Sequence, residues 1–139
     1  MNMFAIIVGT HGRLAEELLA SVDMIFGEVQ NTAAVTLLPG EGAADIAAKY
    51  EAALEKLDTS GGALFLVDIF GGTPYNAACR IVINNEKYGI VTGASLPMLV
   101  DMANAQAMDE GTDIRALMEK AAGVGKTGIR LFHTSTVSD

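Results

Sequence analysis

The apolar positions of this chain fall into short unbroken runs separated by stretches of helical spacing. The first run, Phe4-Ala5-Ile6-Ile7-Val8, is apolar throughout and stops at Gly9-Thr10-His11-Gly12. Such continuity predicts a strand buried on both faces, as in a parallel sheet. Arg13 to Phe26 then carries Leu14, Leu18, Val22, Ile25 and Phe26 on one predicted helical face, with Glu16 and Glu17 in the first turn and Gly27 at the stop. A β-prone run from Thr32 to Leu38 ends in Pro39-Gly40-Glu41-Gly42, and Ile46, Tyr50, Leu54 and Leu57 follow at helical spacing as far as Asp58-Thr59-Ser60-Gly61-Gly62.

The second half repeats the alternation. Ala63 to Val67 is another continuous apolar run, ending on Asp68 ahead of Ile69-Phe70-Gly71-Gly72-Thr73-Pro74. Thr73 before Pro74 reads as an N-cap with proline at the first helical position, and the helix it opens reaches about Ile83. Tyr88 to Thr92 predicts a short strand, and Ser95-Leu96-Pro97 opens a helix that turns Met98, Leu99 and Met102 inward. Thr112 is the expected cap of a last helix with Ile114, Leu117, Met118 and Ala121 inward, broken at Gly123-Val124-Gly125; Gly128 to Phe132 then shows strand alternation. Strands alternating with helices predict βαβ units with right-handed crossovers: an α/β fold with a doubly wound, mainly parallel, flavodoxin-like sheet. With 139 residues and no visible linker or repeat, residues 1–139 are expected to form a single domain.

Composition narrows the function classes. Nine Lys and Arg against seventeen Asp and Glu give a formal charge of −8, which argues against nucleic acid and favours a basic or cationic-patched partner. The apolar runs reach only about 7 residues, and no basic segment leads an apolar one at the N-terminus, so a cytoplasmic protein is expected. The single cysteine, Cys79, in Ala77-Ala78-Cys79-Arg80-Ile81, reads as helix packing. Gly125-Lys126-Thr127 lacks the glycine of a phosphate-binding P-loop, because Lys120 stands in its place. No G-x-G-x-x-G follows the first strand, no nucleophile elbow is present, and His11 and His133 have no zinc-type partners, so neither cofactor nor metal is expected.

What remains is a pairing that the fold itself creates. His11 ends the first strand and Asp68 the third, and in a doubly wound sheet such carboxyl ends meet at a switch point. A carboxylate on Nδ1 would fix the ring's tautomer and leave the Nε2 lone pair as a nucleophile. Gly71, Gly72 and the start of the third helix supply backbone N–H groups, and the Thr73 hydroxyl supplies a further donor, for a phosphoryl group. A plain turn and cap at Gly71-Gly72-Thr73-Pro74, with Asp68 as another cap, fits the same residues.

At these residues the sequence resembles the enzyme IIA component of the mannose/fructose/sorbose family of the bacterial phosphoenolpyruvate:sugar phosphotransferase system. The matching pieces are Ile7 to Gly12, Leu38 to Glu41, Leu64 to Asp68, Gly71 to Ala78 and Leu96 to Val100, in the family's order. The resemblance implies that His11 is phosphorylated by the histidine-containing phosphocarrier protein and hands the group to a IIB component, which serves a IIC/IID membrane permease. It also implies that Asp68 orients His11 and that Thr73 stands where the family also uses serine. The expected alternatives are a non-catalytic nucleotide- or ligand-binding module and a regulatory α/β module. The chain is expected to be either a free-standing IIA protein or a domain cut from a longer fusion. A last strand at a sheet edge invites pairing, and in the family it is exchanged between two subunits. A homodimer with an exchanged antiparallel edge strand, hinged at Gly123, Gly125 and Gly128, is therefore expected.

Overall fold

The computed structural model describes residues 3–108 and 113–137. Four strands, β1 (Ala5–His11), β2 (Thr32–Leu37), β3 (Ala63–Val67) and β4 (Tyr88–Thr92), pair in the order β2-β1-β3-β4, and every pairing is parallel. Five helices complete the chain: α1 (Leu14–Phe26), α2 (Ala43–Lys56), α3 (Thr73–Val82), α4 (Leu96–Ala107) and α5 (Ile114–Thr127). No helix among the described residues is long and apolar enough to cross a membrane.

Alternation along the strands splits the core in two. Ile6, Val8, Leu64 and Leu66 point to one face, where they meet α1, α4 and α5. Ala5, Ile7, Ala63 and Phe65 point to the other, against Ile46 and Tyr50 of α2 and Ala77 and Ala78 of α3. Both faces are therefore covered, which explains why β3 is apolar at every position and β1 carries no polar side chain before Thr10. Each large aliphatic side chain buried in this way contributes about 1.5–3 kcal/mol. The chain leaves β1 towards β2 over one face and leaves β3 towards β4 over the other, so the switch point lies between β1 and β3.

Three expectations are corrected. The buried stripe of α1 is Ala15, Leu18, Leu19, Val22 and Phe26, while Leu14 and Ile25 are exposed; the small Ala15 faces the sheet and turns the stripe by one position. Gly72, rather than Thr73, is the N-cap of α3, so Thr73 is the first helical residue and Pro74 the second, where a missing N–H costs no intrahelical bond. Helix α5 runs through Gly123 and Gly125 to Thr127 instead of breaking there. A Cβ at Gly125 would lie 2.9 Å from the Met98 methyl of α4, so the two helices pass closely here, and α5 carries a glycine that costs about 1 kcal/mol in a helix. The Thr112 cap lies outside the described residues, and Asp113 caps α5 by accepting from the Arg115 N–H at 3.0 Å. Residues 128–133 form no strand in the single chain, and Ile129, Leu131 and Phe132 are exposed. Cys79 is half-buried on α3.

One contact links the core to the switch point. The buried Tyr50 ring lies against Gly9 so closely that a Cβ there would overlap its hydroxyl. That hydroxyl donates to the Pro74 carbonyl at 2.8 Å, tying α2 to the first turn of α3 beneath the strand that carries His11. Burial, with the nearby Asp68 charge, pushes the Tyr50 hydroxyl pKa upward, so it remains a donor. Gly9→Ala is expected to destabilise the protein by about 2–3 kcal/mol through overpacking and loss of this bond, read as a lower urea midpoint at unchanged slope; an unchanged midpoint contradicts the contact.

Candidate active site

The site is assembled from four backbone segments at the carboxyl edge of the sheet. His11 is the last residue of β1 and Asp68 follows β3, so strand order alone makes them neighbours. The next residue, Gly12, turns the chain at φ +59° and donates its N–H to the Leu37 carbonyl of β2 at 2.8 Å. Thr10, fully buried, accepts the Ala15 N–H on its hydroxyl at 2.8 Å and so begins α1 in place of a conventional cap. The chain entering α2 is braced as well. One Glu41 carboxylate oxygen accepts the Leu38 N–H and the Lys49 ammonium, both at 2.7 Å, while Lys49 also donates to the Thr36 carbonyl.

Asp68 organises the centre. Its Oδ2 accepts the His11 backbone N–H at 2.9 Å and lies 2.8 Å from His11 Nδ1, while its Oδ1 accepts the Ile69 N–H at 2.9 Å. Burial pushes this carboxyl pKa up, but the His11 N–H, the His11 ring and the Ile69 N–H together hold it below its ordinary value. Asp68 is therefore ionised at neutral pH and can only accept. The proton must then sit on Nδ1, and the lone pair on Nε2. The imidazole side chain is 46% exposed, whereas that of Asp68 is 12% exposed, so the reactive nitrogen faces solvent and its orienting partner does not.

The opposite wall is the start of α3. Gly71 has φ +82°, and a Cβ on Gly72 would strike His11 Cε1 at 2.8 Å; only glycine lets this backbone approach the ring so closely. No acceptor among the described residues takes the Gly72 or Thr73 N–H. An anion held at this helix end gains about 0.3–1 kcal/mol per contact from the helix dipole. Thr73 stands at this end without making a side-chain cap. The structure thus brings His11, Asp68, Gly71, Gly72 and Thr73 to one mouth and leaves His133 apart, with its Nδ1 turned to Ser135. Thr10, Glu41, Lys49 and Asn76 support the mouth without having been singled out in the sequence. Of these, an Asn in a first helical turn was recognisable as a residue that bonds backbone locally. Among the described residues, no three His, Cys, Asp or Glu side chains group as metal ligands.

Residues 5–121 match the family model EIIA-man, described as "PTS system fructose IIA component". The chain belongs to the EIIA-man family. It is 41% identical over 133 residues to the PTS system mannose-specific EIIAB component of Escherichia coli strain K12, covering 96% of this chain and 41% of that protein. It is 36% identical over 118 residues to the sorbose-specific EIIA component of Lacticaseibacillus casei, covering 84% of each. The chain thus spans about two-fifths of the length of the mannose-specific EIIAB relatives it matches. Among solved structures, the mannose/sorbose specific IIA subunit from Enterococcus faecalis superposes with a TM-score of 0.84 at 28% identity, over 94% of this chain and 96% of that one. Membership of EIIA-man agrees with the all-parallel fold and covers every element up to the middle of α5.

Proposed function

We propose that this chain is a phosphocarrier of sugar uptake: a IIA domain spanning residues 1–139 that takes a phosphoryl group on His11 Nε2 from the histidine-containing phosphocarrier protein. It then passes the group to a IIB component serving a IIC/IID permease, in the cytoplasm and with no cofactor. The observation that carries this reading is the 2.8 Å contact between His11 Nδ1 and Asp68, which commits the other ring nitrogen to nucleophilic attack beside an open helix N-terminus. In the transfer, the Nε2 lone pair forms a bond to phosphorus while the donor's P–N bond breaks and its electron pair returns to the donor ring. Positive charge moves from the donor's imidazolium to His11, where the ionised Asp68 faces it. The N–H groups of Gly72 and Thr73, with the Thr73 hydroxyl, would hold the phosphoryl oxygens in this reading. A non-covalent ligand-binding module is disfavoured by family membership and by a half-exposed nucleophile suited to a protein donor.

Intact-protein mass after incubation with phosphoenolpyruvate and the two general phosphotransferase proteins tests the proposal. One acid-labile phosphoryl group per chain, lost on adding a IIB partner, is expected. An unmodified mass contradicts the carrier role, and a group that stays in place when IIB is added points to a regulatory one.

The same reading includes assembly as a homodimer. The outer edge of β4 has no strand neighbour among the described residues. A groove along it is lined by Phe70, Ile90, Thr92, Met118 and Ile129. The exposed Ile129, Leu131 and Phe132 provide the apolar face that a second copy's β4 edge needs, with Gly128 rather than Gly123 or Gly125 as the flexible point. Light scattering is expected to give a dimer for the full chain and to lose it when residues 129–139 are removed. A monomeric full chain, or a dimeric truncated one, contradicts the exchange.

A further inference from the structure

We infer that Asn76 is a positioning residue of the phosphoryl site, locking the Gly71–Gly72 peptide so that the Gly72 N–H is presented to the group on His11. The inference rests on the phosphocarrier reading and adds a residue to it. Asn76 holds two consecutive carbonyls at once: its backbone N–H donates to Gly72 O at 2.9 Å, and its side-chain amide donates to Gly71 O at 3.1 Å. In a planar trans peptide the C=O and the following N–H point in opposite directions. Drawing the Gly71 carbonyl back along α3 therefore drives the Gly72 N–H forward, out of the helix end. The Thr73 N–H is driven the same way by the backbone bond to Gly72 O.

Gly72 itself lies against the nucleophile's ring. A Cβ on Gly72 would meet His11 Cε1, the ring carbon between the proton-bearing Nδ1 and the free Nε2. The backbone bond at Gly72 O is an ordinary helical one and survives any substitution at position 76 other than proline. The side-chain bond to Gly71 O does not. Gly71 sits at φ +82° between Phe70 and another glycine, and glycine crosses between left- and right-handed regions at little cost. Without the Asn76 amide, the Gly71–Gly72 peptide is free to rotate and turn its carbonyl towards the phosphoryl oxygens, exchanging an attraction for a repulsion. The amide nitrogen of Asn76 must face Gly71, because a carbonyl accepts only from a donor. Asp at this position lacks that donor and faces Gly71 O with a charge.

The test compares Asn76→Ala and Asn76→Asp with the wild type, using phosphorylated histidine-containing phosphocarrier protein as donor and following the Gly72 amide by nuclear magnetic resonance. The wild type is expected to show a downfield move of the Gly72 proton on phosphorylation. Both variants are expected to keep the melting temperature and the KM for the donor, lose that move, and transfer with a kcat lower by about ten- to a hundredfold, Asp more than Ala. An unchanged kcat and Gly72 shift in active, folded variants overturns the inference alone. A raised KM at constant kcat also overturns it, by making Asn76 a docking contact. A wild type that takes up no phosphoryl group overturns the parent reading and this inference with it.

Discussion

His11→Ala is expected to reduce phosphoryl uptake to background, while His133→Ala keeps it whole. Only His11 has a ring nitrogen fixed by a carboxylate, and only its ring lies against a helix end whose first N–H groups have no acceptor among the described residues. His133 is held by Ser135 in the short turn before residue 137 and has no acidic partner among the described residues. The loss should not reflect unfolding. His11 is half-exposed, and its backbone N–H, which remains in the variant, supplies one of the three bonds to Asp68. Stability is therefore expected to fall by only about 0.5–1.5 kcal/mol, the net contribution of the one ring bond removed. Chemical denaturation together with acid-labile label on the same sample checks both halves. Label retained by His11→Ala removes His11 from the nucleophile's place.

Asp68→Asn should be the second largest effect, and the hydrogen-bond inventory gives the reason. Three N–H donors converge on two carboxylate oxygens: two from His11 on Oδ2 and one from Ile69 on Oδ1. An amide has one oxygen, so either orientation sets an NH2 against a donor, and at least one contact is lost at a cost of about 1–3 kcal/mol. The substitution also removes the negative charge that faces the imidazolium formed during transfer, so single-turnover transfer is expected to slow on the order of 10²–10³-fold. Equal rates in variant and wild type contradict the pairing. The same pair fixes a pH dependence. The Asp68 pKa is lower in the folded protein than the ordinary value of about 3.9. Its contribution is thus complete above that value and is lost as pH falls through the lower, folded one. The carboxyl carbon shift of Asp68 should show the step of carboxyl protonation only below about pH 4.

The four strands and the meeting of His11 with Asp68 were legible because a parallel sheet covered on both faces writes itself as continuous apolar runs, and strand order then joins their carboxyl ends. The sequence misled where a small residue carries a large structural role. Ala15 turns the buried face of α1, and Gly125 sits inside α5 where the helix passes close to Met98 of α4. Thr73 looked like a cap because Thr-Pro often is one, yet the flexible Gly72 takes the boundary. The brace of Glu41 and Lys49, and the Thr10 bond to Ala15, depend on backbone groups that come together only once the helices dock. The C-terminal run alternates as a strand should, but a strand needs a neighbour, and in one chain residues 128–133 have none.

The most direct test of the central claim is where the phosphorus sits. With nitrogen-15-labelled protein phosphorylated by the phosphoenolpyruvate-dependent chain of general proteins, phosphorus–nitrogen coupling identifies the bonded atom. The geometry of His11 and Asp68 predicts coupling to Nε2 of His11, with Nδ1 still protonated and bonded to the carboxylate. Coupling to Nδ1 of His11, or to any atom of another residue, contradicts it.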